Sequence, residues 1–164
     1  MDPIKKIMAA VVYTEHAEGL IAFAAQIAES MNAELIIVNI INVRDMEAVG
    51  SIAAMGYEVD GDHYVSGIEA ERRQALDDIL TRISFPADRI SAIFQLGHPV
   101  DEILKIAMQE KVDLMVMGIK GRSDLSQILV GSVAERIFRR SPVPIVSYRD
   151  EKSVARLKKQ VGIK

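Results

Sequence analysis

The chain contains no cysteine. That excludes disulfides, thiolate-held metals and cysteine nucleophiles, and it fits a reducing cytosol. No apolar run reaches the length of a transmembrane helix. Basic charge is not in excess. Lys and Arg number 20 against 23 Asp and Glu, a formal net charge of −3, so no global field recruits nucleic acid or an anionic membrane. Several signatures with known mechanics are also missing. The sequence has no G-x-x-x-x-G-K-[ST] loop, no G-x-G-x-x-G after its first apolar run, no G-x-S-x-G elbow and no H-E-x-x-H helix. His16, His63 and His98 are scattered through turns and helix starts and read as surface or capping imidazoles. Asp60-Gly61-Asp62-His63 lacks the spacing of a calcium loop and reads as solvated. The start, MDPIKKIMAAVVY, sets two lysines before an apolar run, but Ile7–Val12 is too short for a secretion signal. The expectation is a cytoplasmic domain with no metal site.

What is present is a well-patterned core. The 164 residues are 49% hydrophobic and 26% charged, the balance of one ordinary globular domain. The reading assigns 1–149 to that domain and 150–164 to a charged tail, expected to be a frayed helix or disordered. Ile4–Val12 and Leu35–Val43 are apolar runs of strand length, as parallel strands covered on both faces require. Between them Leu20, Ile21, Phe23, Ala24, Ile27, Ala28 and Met31 recur at helical spacing, with Thr14 as the expected N-cap. Residues 44–65 lack a period and read as a long connection. Ser66-Gly67-Ile68-Glu69 reads as a capping box opening a helix with Ile68, Ala75, Leu76, Ile79, Leu80 and Ile83 inward. Arg89–Leu96 alternates like a strand with one poorly covered face. Pro99 suits a first helical position, ahead of a stripe of Val100, Ile103, Leu104, Ala107 and Met108. A strand at 112–117, a helix near 132–140 and a strand at Val143–Tyr148 complete the order. Pro144 argues that the last strand is an edge.

This alternation predicts an α/β fold: an open five-stranded parallel sheet, order 3-2-1-4-5, with helices on both faces. Its switch point lies between strands one and four, where Val12-Tyr13-Thr14 meets Gly118–Ser132. A strand that ends in glycines and feeds a helix N-terminus is the general design of an anion site. Glycine lets the backbone come close, and the unpaired N–H groups and helix dipole favour a phosphate. Gly118, Gly121 and Gly131 also read as turn punctuation, and Ser132-Val133-Ala134-Glu135 also reads as a capping box. Arg122 reads equally as a solvated loop residue or a phosphate ligand.

The spacing G-x2-G-x9-G-S over Gly118, Gly121, Gly131 and Ser132 closely resembles the nucleotide motif of the universal stress protein family. KKIMAAVVYTEHAEG and LGHPVDEIL resemble that family's first strand and its segment after strand three, so the likeness spans about residues 4–148. The resemblance implies a cytoplasmic homodimer paired through the last strand, Val143–Tyr148, that binds ATP or another adenine nucleotide, with Mg as its companion ion. It places Gly121, Arg122, Gly131, Ser132 and Val133 around the phosphates, Met117 and Gly118 against ribose and adenine, and Ile40 near the base. ATP-binding members usually carry an aspartate at the end of strand one. Here Val12 stands there, with Tyr13 or Thr14 as the neighbours that would compensate. Two alternatives stand beside this reading: a protein-interaction dimer with a weakened crevice, and a slow ATPase drawing on Ser123, Asp124 or Ser132.

Overall fold

The computed structural model describes residues 3–44, 55, 61–119 and 132–162. Five strands form one parallel sheet in the order β3-β2-β1-β4-β5: β1 (Lys6–Ala10), β2 (Glu34–Asn42), β3 (Ile90–Gly97), β4 (Leu114–Gly118) and β5 (Ile145–Tyr148). The helices are α1 (Ala17–Ser30), α2 (Gly61–Leu80), α3 (Pro99–Gln109), α4 (Ser132–Arg140) and α5 (Glu151–Gln160). The expected α/β architecture and strand order are observed.

Alternation along the central strands sorts their side chains into two cores. Ile7, Ala9, Leu35, Ile37, Leu114 and Val116 face Leu20, Ile21, Ala24 and Ala28 of α1 and Leu76 and Ile79 of α2. Met8, Ala10, Ile36, Val38, Met115 and Met117 face Val100, Ile103, Ile106 and Ala107 of α3 and Ala134 and Ile137 of α4. Each Ile, Leu, Val or Met side chain so buried contributes about 1.5–3 kcal/mol, which is why the central strands are almost unbroken apolar runs. At the amino ends, the Asp113 carboxylate accepts from the backbone N–H of Lys5 (2.8 Å) and Lys6 (2.9 Å), which fixes β4 against the entry to β1. Asn32 and Lys111 turn the chain out of α1 and α3 with φ of 52° and 54°. That left-handed geometry is a common way to stop a helix.

Several boundaries differ from expectation. α1 begins at Ala17, with His16 at the cap position and no side-chain cap, so Thr14 is not the N-cap. Instead its carbonyl accepts from Ala17 N–H at 3.0 Å, a turn that delays the helix. α2 begins at Gly61, which leaves the Ser66–Glu69 pattern inside the helix, where Glu69 pairs forward with Arg73. Met31, the C-cap residue of α1, and Met108, next to the last residue of α3, are exposed. Pro144 precedes β5. It has no N–H to give, but its carbonyl accepts from Met115 N–H at 2.9 Å. The tail is a helix, α5, capped by Asp150.

Candidate functional site

Parallel strands all point their carboxyl ends the same way, and the connections from β1 and β4 leave towards opposite faces. A crevice opens between them. In this chain it is a cavity of about 430 Å³, within the range of about 300–1,000 Å³ usual for small-molecule sites. Its floor is apolar: Ala10 and Val11 of the β1 end, Ile40 of β2 and Met117 of β4. Thr14 and Ala17 form the α1 side, and Pro99 and Ile103 the α3 side.

Of the residues expected at the site, Val12, Thr14, Ile40, Met117, Gly118, Ser132 and Val133 all line this one cavity. Gly121, Arg122 and Gly131 lie outside the described residues, as do Ser123 and Asp124. Ser132 is the first residue of α4. Glu135 does not reach back to it as a capping box would; its carboxylate pairs forward with Arg139 at 2.9 Å. Among the described residues Ser132 Oγ has no hydrogen-bond partner, so hydroxyl and helix dipole both address the cavity. Val12 is 41% exposed at the mouth. Of its two neighbours, Thr14 lines the cavity. Tyr13 instead turns under α1 and α2, stacked on Phe94 with ring centroids 6.2 Å apart. Burial pushes the Tyr13 phenol up to about 12, against the opposing pull of Arg72. Its hydroxyl is buried with no partner among the described residues.

Two wall residues were not singled out from the sequence. Asn39 and Arg72 are 2% and 5% exposed. Arg72 Nη1 donates to Asn39 Oδ1 at 2.6 Å, and Asn39 Nδ2 donates to the Val11 carbonyl at 2.7 Å. This relay ties α2 to the carboxyl ends of β2 and β1. A signal existed for both: Asn39 interrupts the run LIIVNIIN, and Arg72 precedes Leu76 and Ile79 by four and seven residues, on the buried stripe.

The end of β5 and the segment after it supply a further wall through Tyr148, Arg149, Asp150 and Ser153. Asp150 accepts from Ser153 N–H at 2.9 Å and Ser153 Oγ at 2.7 Å. Burial pushes its carboxyl up, but these two bonds and nearby His16 outweigh that, and the net shift is downward. Tyr148 packs so closely on α1 that a Cβ at Gly19 would collide with its hydroxyl. Among the described residues no three His, Asp or Glu side chains gather to hold a metal, and no helix is long and apolar enough to cross a membrane.

Comparison with known proteins gives one result throughout. The model of the universal stress protein family matches residues 3–149. A universal stress protein of Methanocaldococcus jannaschii is 24% identical over 157 residues, covering 91% of this chain and 97% of the relative. A second from that organism is 29% identical over 129 residues, covering 79% and 72%. The solved structure of the M. jannaschii protein MJ0577 aligns with a TM-score of 0.68 at 24% identity, over 92% of this chain and 100% of that one. A universal stress protein solved in complex with cAMP aligns with a TM-score of 0.62 at 24% identity, over 90% and 98%. At these identities the structures establish the shared fold.

Proposed function

The chain belongs to the universal stress protein family, and from that premise we propose that it is a nucleotide-responsive module whose cavity takes an adenine nucleotide. The observation that carries this reading is the Ser132 hydroxyl at the start of α4, which lines an apolar cavity beside the end of β4 and has no hydrogen-bond partner among the described residues. The residues fit such a ligand. Met117, Ile40 and Ile103 offer the apolar surface an adenine ring needs. Ser132 and the backbone N–H groups of Ser132 and Val133 are phosphate donors at a helix N-terminus. Gly118 lets the chain approach without a Cβ.

ATP is the first ligand to test, and the cAMP held by one structural relative makes a cyclic nucleotide the second. No described carboxylate cluster would fix an ion, so the Mg expected with ATP would travel on its phosphates. The protein acts in the cytoplasm as a homodimer joined along β5, which is an edge strand with no partner on its outer side among the described residues. Sedimentation equilibrium should return two copies, and a monomer at every concentration would remove the dimer. Thermal melts test the ligand. A nucleotide at 100 times its Kd stabilises by about 2.7 kcal/mol, and unchanged melting with millimolar ATP and with cAMP would sink the nucleotide reading.

A further inference from the structure

The family match ends at residue 149, yet Asp150 and Ser153 line the same cavity as the motif residues. α5 is thus an addition to the matched domain that completes its cavity. Among the described residues its ion-pair attachment is local and slight. Asp150 Oδ2 lies 3.9 Å from His16 Nδ1, an ion pair when the imidazole is protonated, and Lys152 Nζ lies 4.0 Å from Glu15 Oε2. Both links run from the first turn of α5 to the loop in front of α1. Ser153 is the one buried residue of α5. Further along, Arg156 Nε is sealed from solvent with no hydrogen-bond partner among the described residues. A buried donor left unsatisfied works against the docked position. Long, exposed ion pairs hold weakly. A helix attached this way opens far below the cost of global unfolding.

We propose that α5 is a clasp: the outer wall of the binding cavity, latched to the 14–16 loop through Asp150 and Lys152, which opens to admit the ligand and closes over it. Ser153 N–H and Oγ are both engaged by Asp150. Arg149, which precedes the cap and lines the cavity, makes no ion pair among the described residues. The clasp therefore adds an anion-facing guanidinium to the donors at α4. The role as a ligand clasp rests on the nucleotide reading, whereas the latch itself does not.

The absence of cysteine allows a direct test. Ala17→Cys places a lone thiol on the cavity wall next to the latch, at a residue 4% exposed. The rate of its modification by a small neutral alkylating reagent reports opening. In that background, deletion of residues 150–164 should raise the rate about tenfold or more, and D150A/K152A by several-fold. Saturating ATP or cAMP should slow labelling of the full chain by about fivefold, and much less in the deletion. The double substitution gives the answer if the deleted chain fails to fold. Labelling within about twofold across all three proteins would overturn the clasp. Acceleration on deletion without any slowing by nucleotide would keep the latch and defeat the nucleotide reading. Equal slowing in deleted and full chains, at equal basal rates, would do the reverse.

Discussion

The two long walls of the cavity are built on opposite principles. At the α4 side, Ser132 presents a hydroxyl and a helix N-terminus whose donors are not consumed within the described structure. At the side formed by β1, β2 and α2, Asn39 and Arg72 are buried and spend described donors and acceptors on each other and on Val11. The residue that faces outward there, Val12, has nothing polar to offer. On the proposed reading the first wall is preorganised for a ligand, whereas the second is tied up in holding the fold. Substitutions in the first should therefore change binding and spare stability, and those in the second should do the opposite.

The largest expected effect is on the second wall. Arg72→Ala leaves Asn39 Oδ1 without its partner and opens space under α2. It should cost about 2–4 kcal/mol in a urea titration, and a loss under about 1 kcal/mol would show the relay to be incidental. Val12→Asp converts that wall into one with a charged acceptor. For a nucleotide with free ribose hydroxyls, calorimetry should show tighter binding by about 1.5–3 kcal/mol, roughly tenfold or more. No gain would mean that Thr14 already serves the ribose. Ser132→Ala belongs to the first wall. It should weaken nucleotide binding by about 0.5–1.5 kcal/mol with little change in urea midpoint, and a stability loss without an affinity loss would reverse the assignment. The smallest effect is at Tyr13, behind the second wall. Tyr13→Phe removes a buried hydroxyl that has no described partner and should be neutral or stabilising by up to about 1 kcal/mol. Its pH signature is sharper. The folded protein keeps a proton that the unfolded chain releases, so wild-type stability should fall as pH climbs from 10.0 towards about 12. The Phe variant should lack that part of the decline, measured by urea midpoint against pH.

The same division explains what could be read without coordinates. The strand order was legible because β1, β2 and β4 carry long apolar runs, whereas β3 alternates and Pro144 marks β5. The α4 wall was legible because a helix N-terminus beside glycines is a local pattern. The other wall is non-local: Asn39 and Arg72 meet across 33 residues, and a polar residue inside an apolar stripe does not name its partner. Capping was read least well. Ser66-Gly67-Ile68-Glu69 has the form of a start signal, yet α2 begins at Gly61. Local propensity is a weak prior that tertiary packing overrides. Of the two readings of the tail, a frayed helix or disorder, the helix is observed, but its place at the cavity has no local sign. Its hydrophobic content is low, and among the described residues the Asp150 cap and the ion pairs to His16 and Glu15 hold its start beside the cavity.

The most direct test of the central claim is a nucleotide titration followed residue by residue in amide NMR spectra. Binding at the α4 wall predicts that ATP shifts the Gly118, Ser132 and Val133 amides most strongly, with smaller changes at Ile40 and Thr14 and almost none at the amino ends of the strands, around Lys6 and Asp113. Saturating shifts confined to another surface, or no shifts at millimolar ATP and cAMP, would contradict it.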